Sequence, residues 1–94
     1  MKDFLLLMHN DVAKPGGDWD SYLKSLRERG VFDGGSSIGD GAAFRKSASA
    51  EISKTLGGYI RVRAESLEAA KTYLKGNPVY ENGGTVEIRE LPRD

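Results

Sequence analysis

Residues 56–92 read LGGYIRVRAESLEAAKTYLKGNPVYENGGTVEIRELP, and this stretch decides the fold. Gly58 to Ala64 and Thr85 to Leu91 each alternate apolar and polar residues, which is the pattern of a half-buried strand. Between them, Leu67 to Lys75 have the apolar spacing of a helix. The residues expected on its buried side are Leu67, Ala70, Tyr73 and Leu74. The stretch therefore predicts a strand, a helix and a second strand.

The first part of the chain predicts another strand followed by another helix. Phe4 to Met8 is a continuous apolar run, and its length indicates a strand that is buried on both faces. Asp18 is a favourable N-cap for a helix from Trp19 to Arg29. The apolar residues of this helix share one face: Trp19, Tyr22, Leu23 and Leu26. We expect Trp19 and Tyr22 to anchor the core, with Trp19 also placed to form the wall of a pocket.

The middle of the chain, residues 31–54, has the weakest pattern. Val31 to Asp33 predicts the start of a further strand, which Gly34 and Gly35 interrupt. We expect a hairpin that pairs Gly35–Ile38 with Ala42–Lys46, followed by a loop or short strand. The Gly, Ser and Ala content of this region is typical of a mobile segment.

The order of these elements predicts one α+β domain over residues 1–94. It is the ferredoxin-like βαββαβ order, with an antiparallel sheet and both helices on one face. The sheet residues expected to meet the helices are Ile60, Val62, Val86 and Ile88. The opposite face would carry Tyr59, Arg61, Arg63, Glu87 and Arg89. A mixed apolar and charged face predicts pairing with a second copy of the chain, and a solvated open face is the alternative.

Composition limits the partners and the location of the protein. The 94 residues include no Cys, and 14 Lys and Arg residues balance 14 Asp and Glu residues. Disulfides and Cys-based metal sites are therefore excluded, and no net charge attracts nucleic acid or a membrane surface. Since no targeting segment and no long apolar run are apparent, we expect a cytoplasmic protein. Because small domains bury little surface, self-association is also expected.

The chemistry of the chain depends first on its single histidine. His9 ends the first strand, and an imidazole can act as a general acid or base near neutral pH. Asp11 follows two residues later and is the predicted orienting group, so His9 and Asp11 are the candidate catalytic residues. The alternative is that His9 is a half-exposed loop residue without a role. With one His and no Cys, the sequence predicts neither a metal nor another cofactor.

A second set of residues forms the candidate binding site for a small organic molecule. Its members are Trp19, Tyr59, Arg61, Asn77 and Glu81. Arg61, or Arg63 beside it, could clamp an anion, although an ion pair between subunits is the alternative. Asn77 could bind a ligand through its amide, or could simply shape a turn with Pro78. The glycine pairs lack the spacing of phosphate-binding loops, which argues against nucleotides.

Four segments carry a resemblance to a known family. They are Met1–Leu7 (MKDFLLL), Gly57–Ile60 (GGYI), Ala64–Ala70 (AESLEAA) and Asn77–Arg89 (NPVYENGGTVEIR). In these segments the chain resembles the YCII-related, or DGPF-domain, family of small bacterial proteins. The resemblance implies a dimeric α/β barrel in which two ferredoxin-like units pair their sheets. Most members have no established activity, whereas some relatives in the superfamily are enzymes that act on small organic molecules.

The chain departs from the family pattern where the family carries its chemistry. The Asp-Gly-Pro-Phe run that names the family is replaced by Ser47–Lys54, SASAEISK. Some members carry a catalytic Asp before the Pro that follows the second helix, and here that position is Asn77, which cannot ionise. The helix-borne His of those members has no counterpart, because His9 is the only histidine. Two functions stay open: a homodimer with a small-molecule site near His9, and a non-catalytic ligand-sensing or structural dimer.

Overall fold

An open antiparallel sheet of four strands organises the chain, and the computed structural model describes residues 1–93. The strands are β1 (Lys2–His9), β2 (Phe32–Ser37), β3 (Leu56–Ala64) and β4 (Val86–Leu91), in the spatial order β2-β3-β1-β4. The helices are α1 (Trp19–Glu28), α2 (Leu67–Lys71) and α3 (Pro78–Glu81), with a 3₁₀ helix at Thr72–Leu74. The predicted small α+β architecture with an antiparallel sheet is confirmed.

The central strand β1 separates the two faces of the sheet. Phe4, Leu6 and Met8 are buried in the core, whereas Leu5 and Leu7 point to the other face and are only half-buried. Within a single chain the strand is therefore fully buried on one face, not on both as its sequence suggested. The core side is completed by residues from the neighbouring strands and helices: Tyr22, Leu26, Val31, Ile60, Val62, Ala64, Ala70 and Tyr73.

Helix α1 begins where the sequence indicates. The side chain of Asp18 accepts hydrogen bonds from the backbone N–H and the hydroxyl of Ser21, and these bonds lower the pKa of the Asp18 carboxyl. Tyr22 is buried, and its hydroxyl donates to the carbonyl of Tyr73. Burial raises the pKa of this phenol. Trp19 is instead 38% exposed, so it is not the core anchor that its place on the apolar stripe predicted.

The second helical region is shorter and more broken than expected. Helix α2 ends at Lys71, and the chain tightens into the 3₁₀ helix before Gly76, whose φ is +87°. Ala70 and Tyr73 are buried as predicted, but Leu67 is 52% exposed.

The predicted hairpin in the middle of the chain is wrong. Strand β2 continues through its two glycines to Ser37, and its second half pairs with β3. Gly35–Ser37 pair with β3 and not with residues 42–46, where an isolated bridge joins Arg45 to Ala48. Phe44 is 91% exposed, so no apolar contact holds that segment against the sheet.

Among residues 1–93, no helix has the length and apolar character needed to cross a membrane.

The central strand supplies a stability prediction. Leu6→Ala removes a fully buried side chain and is expected to lower the free energy of unfolding by about 2–5 kcal/mol. The control is Leu67→Ala, an exposed leucine whose loss should change the free energy by less than about 0.5 kcal/mol. Urea denaturation measures both. Similar losses in the two variants would contradict the assignment of Leu6 to the core.

Candidate functional site

A cavity of about 490 Å³ lies between α1 and the sheet, where β1 ends and β3 begins. Its lining combines residues from α1, the ends of three strands and the region of α3: Met8, His9, Asn10, Trp19, Leu23, Arg27, Phe32, Gly35, Ser36, Ser37, Gly57, Gly58, Tyr59, Ile60 and Val79. A mostly apolar wall with a few polar groups is typical of small-molecule sites, and the volume lies within their usual range.

Glycines in the sheet keep this space open. Gly58 follows the same alternation as the core residues Ile60 and Val62, so a side chain there would point towards α1 and into the cavity. A Cβ atom at Gly58 would also lie 3.2 Å from the carbonyl oxygen of Ser36, and one at Gly35 would lie 2.5 Å from that of Tyr59. The close approach of β2 to β3 therefore requires small residues at the floor of the cavity.

A smaller cavity of about 280 Å³ adjoins the first and shares with it His9, Asn10, Trp19 and Val79. The loop after β1 adds Lys14 to its lining. In the part of the chain that the structure describes, neither lining includes an Asp or a Glu. The two cavities thus form one recess with cationic and apolar walls.

Both ring nitrogens of His9 are hydrogen-bonded. Nε2 lies 2.7 Å from Oε2 of Glu87 on β4, and Nδ1 lies 2.8 Å from the hydroxyl oxygen of Thr55. A carboxylate can only accept hydrogen bonds, so we assign the proton to Nε2. In the neutral ring, Nδ1 is then the basic atom and accepts a hydrogen bond from Thr55. Glu87 fixes the tautomer and the orientation of the imidazole.

Asp11 does not orient His9, contrary to the sequence-based expectation. Its carboxylate accepts hydrogen bonds from the hydroxyl and the backbone N–H of Thr85, at 2.6 and 2.8 Å. These bonds hold the pKa of the Asp11 carboxyl below its usual value. Asp11 thus ties the loop after β1 to the residue that precedes β4, while Glu87 takes the orienting position.

The predicted anion-binding arginines lie outside the recess. Arg61 is 3.7 Å from the carboxylate of Asp3 on the sheet face that points away from the core. Arg63 pairs with Asp33 at 2.9 Å and donates a hydrogen bond to the carbonyl of Gly30. Neither arginine lines either cavity.

Asn77 and Glu81 have structural contacts rather than places in the recess. Asn77 is fully buried, and its Oδ1 accepts the backbone N–H groups of Val79 and Tyr80 as the N-cap of α3. Glu81 accepts the backbone N–H of Gly76 at 2.8 Å, which closes the turn before that helix. Of the residues predicted to form the site, three line the larger cavity: His9, Trp19 and Tyr59. The alternation of the strands turns the side chain of Tyr59, and the imidazole that is bonded to Glu87, towards the sheet face away from α1.

Sequence reasoning missed two residues of this region, Thr55 and Arg27. Thr55 immediately precedes β3, and the antiparallel register that pairs His9 with Leu56 brings it to the imidazole. Arg27 completes a row with Trp19 and Leu23 at spacings of four residues, which share one side of a helix. That spacing was visible in the sequence, whereas the position of Thr55 depended on a strand register that the sequence did not define.

No family model matches the chain, and no curated protein is significantly similar to it. The resemblance to YCII-related proteins accordingly stays a prediction. Within residues 1–93, no group of three or more His, Cys, Asp or Glu side chains is placed to hold a metal ion.

The contact between Asp11 and Thr85 predicts a pH dependence of stability. The folded-state pKa of Asp11 is lowered, so its contribution is present above the ordinary carboxyl pKa and is lost as the pH falls through the lowered value. Asp11→Asn should therefore destabilise the protein at about pH 7 and have less effect at about pH 2.5, as measured by urea denaturation. Asp40→Asn, in the exposed middle segment, should have little effect at either pH. A loss that is independent of pH would show that ionisation of Asp11 does not stabilise the fold.

Proposed function

We propose that the protein is a homodimeric YCII-related protein that binds a small organic molecule in the larger cavity, with His9 as its acid or base. The observation that carries the proposal is a mostly apolar cavity of about 490 Å³ that is bordered by His9, whose imidazole is oriented by Glu87. His9 borders the cavity whereas Asp11, Asn77 and Glu81 do not, so the site is assigned to the cavity and His9. The absence of Cys from the sequence supports a cytoplasmic location.

The proposed acid–base role follows from the hydrogen bonds of His9. Glu87 accepts the Nε2 proton and would stabilise the imidazolium that forms when Nδ1 takes a proton. Nδ1 is occupied by the Thr55 hydroxyl, so a proton passes either through that hydroxyl or after Thr55 has moved aside. A bound molecule with an acidic C–H or O–H group near Nδ1 is the reactant that this arrangement suits.

The same occupancy of both nitrogens favours a second candidate, the non-catalytic dimer. Nε2 and Nδ1 are satisfied at 2.7 and 2.8 Å without any ligand. In that case His9 would join β4 to the start of β3 and stiffen the wall of the recess. The protein would then sense or carry the molecule without transforming it.

The strand order supports a ferredoxin-like unit, and the open sheet face supports pairing of two such units. In the order β2-β3-β1-β4, the first and third strands are central, as that topology requires. The face that points away from the core has a half-buried apolar centre at Leu5, Leu7 and Leu91. A second copy would remove this apolar surface from water. The additional burial would stabilise a small domain whose own core is modest.

Charged residues surround that apolar centre with both signs. Arg61 lies near Asp3, and Arg89 is 3.8 Å from Glu87. Arg93 also pairs with Asp3 at 3.0 Å, and its hydrogen bond is the main cause of the lowered pKa of that carboxyl. An apolar centre inside a charged rim is the arrangement of protein interfaces, and the mixed signs allow two identical faces to pair.

Ligand binding can be tested with 2-phenylethanol, a neutral aromatic molecule that fits the recess. Titration into ¹⁵N-labelled protein should shift the amide signals of Gly35, Gly57 and Gly58 in a saturable way. Trp19→Ala removes an aromatic wall and should raise the Kd about tenfold. Leu67→Ala, outside the recess, is the control. The proposal fails if these glycine signals do not move, or if both variants bind like the parent protein.

The interface can be tested by charge reversal. Arg61→Glu places a like charge beside Asp3 in the charged rim of the proposed contact and should shift the protein towards monomer in sedimentation equilibrium. Arg45→Glu makes the same chemical change in the exposed segment between β2 and β3 and should leave the assembly unchanged. A parent protein that sediments as a monomer, or an Arg61→Glu dimer as stable as the parent, would rule out this interface.

A further inference from the structure

We propose that the recess selects a small organic carboxylate, whose anionic group binds Arg27 and whose aromatic or similarly flat apolar body packs against Trp19 and Leu23. This inference rests on the proposed function, because it concerns the same cavity. It adds the chemical class of the ligand and moves the anion contact from the arginines of the sheet to one on α1.

Arg27 is held along the wall of the cavity. It lies four residues beyond Leu23 and eight beyond Trp19, so the three side chains form a row along the side of α1 that borders the recess. The guanidinium carbon of Arg27 is 4.9 Å from the centroid of the Phe32 ring, which also lines the cavity. Stacking on a ring orients a guanidinium through its face and leaves its N–H edge free for a carboxylate.

No acidic side chain competes for Arg27. Among residues 1–93 its guanidinium forms neither an ion pair nor a hydrogen bond, whereas four arginines of the sheet and C-terminal region all do: Arg61, Arg63, Arg89 and Arg93. The cavity lining contains no carboxylate, and Lys14 adds a second cation in the adjoining cavity. The chain as a whole carries no net charge, so the positive charge of Arg27 and Lys14 is a local property of the recess.

The remaining walls determine what else the ligand must have. Trp19, Leu23 and Phe32 present apolar and aromatic surface, and glycines form much of the opposite wall. A flat ring fits between such surfaces, whereas a purely inorganic anion would leave them in contact with water. A cation at one end and aromatic walls along the body therefore favour an aryl or similarly apolar carboxylate.

The test compares phenylacetate with phenylacetamide, which has the same ring and size but no charge. Titrations followed by the amide signals of Gly57 and Gly58 should give a Kd about tenfold lower for phenylacetate. Arg27→Gln should remove this preference by weakening phenylacetate about tenfold while changing phenylacetamide less than about twofold. The preference of the parent protein should also shrink as salt is added, because Arg27 is exposed.

Arg29→Gln is the matched control. Arg29 lies at the end of the same helix, its guanidinium carbon is 4.6 Å from the ring centroid of Tyr73, and it lines neither cavity. The Arg29→Gln substitution removes the same charge and the same kind of stacking, and should leave the affinities for phenylacetate and phenylacetamide unchanged. Equal binding of the two probes to the parent protein, or equal effects of the two substitutions, would overturn the role of Arg27. If neither these probes nor 2-phenylethanol binds, the proposed function itself fails.

Discussion

The pairing of β1 with both β3 and β4 is the constraint on which the rest of the structure depends. Its register places Leu6 between Ile60 and Ile88, and places Leu5 between Arg61 and Arg89. Since side chains alternate along a strand, one continuous apolar run supplies both the core and the centre of the open face. A shift of one residue would exchange these faces and expose the core leucine, so the burial of Leu6 fixes the register.

The same register places His9 at the border of the larger cavity. Strand β1 ends at His9, and its pairing with β3 shifts by one residue between Met8 and His9. The imidazole then contacts Glu87 on one neighbouring strand and Thr55 before the other. The histidine is therefore oriented by residues of the sheet and of the segment before β3, while α1 supplies the opposite wall of the cavity. Acid–base chemistry and ligand binding would share one end of the sheet.

Strong local signals made most of the architecture predictable. Asp18 marks the start of α1, and the alternation around Ile60 and Val86 identifies β3 and β4 with their correct faces. The middle of the chain could not be predicted, because Gly34 and Gly35 suggest a break where the backbone continues to pair with β3. Local pattern does not reveal such long-range pairing.

The site was less predictable than the fold. His9, Trp19 and Tyr59 are chemically distinctive, and all three border the cavity, although the side chain of Tyr59 points to the sheet face away from α1. Asp11 was paired with His9 on the basis of sequence proximity alone. A residue two positions away along an extended chain lies several ångströms further on, whereas Glu87, distant in sequence, lies on the neighbouring strand opposite Leu7 and reaches the imidazole diagonally. Partners of a strand residue come from neighbouring strands, which only the register can define.

The most direct test of the account is where a bound aromatic molecule lies. Isotope-filtered nuclear Overhauser measurements on the complex with 2-phenylethanol would locate the ring of the ligand. The account predicts contacts from the ring protons to the indole of Trp19 and to the α-protons of Gly58, both of which line the cavity. Contacts confined to Leu5 and Leu7, on the open face of the sheet, would contradict it and would place binding outside the recess.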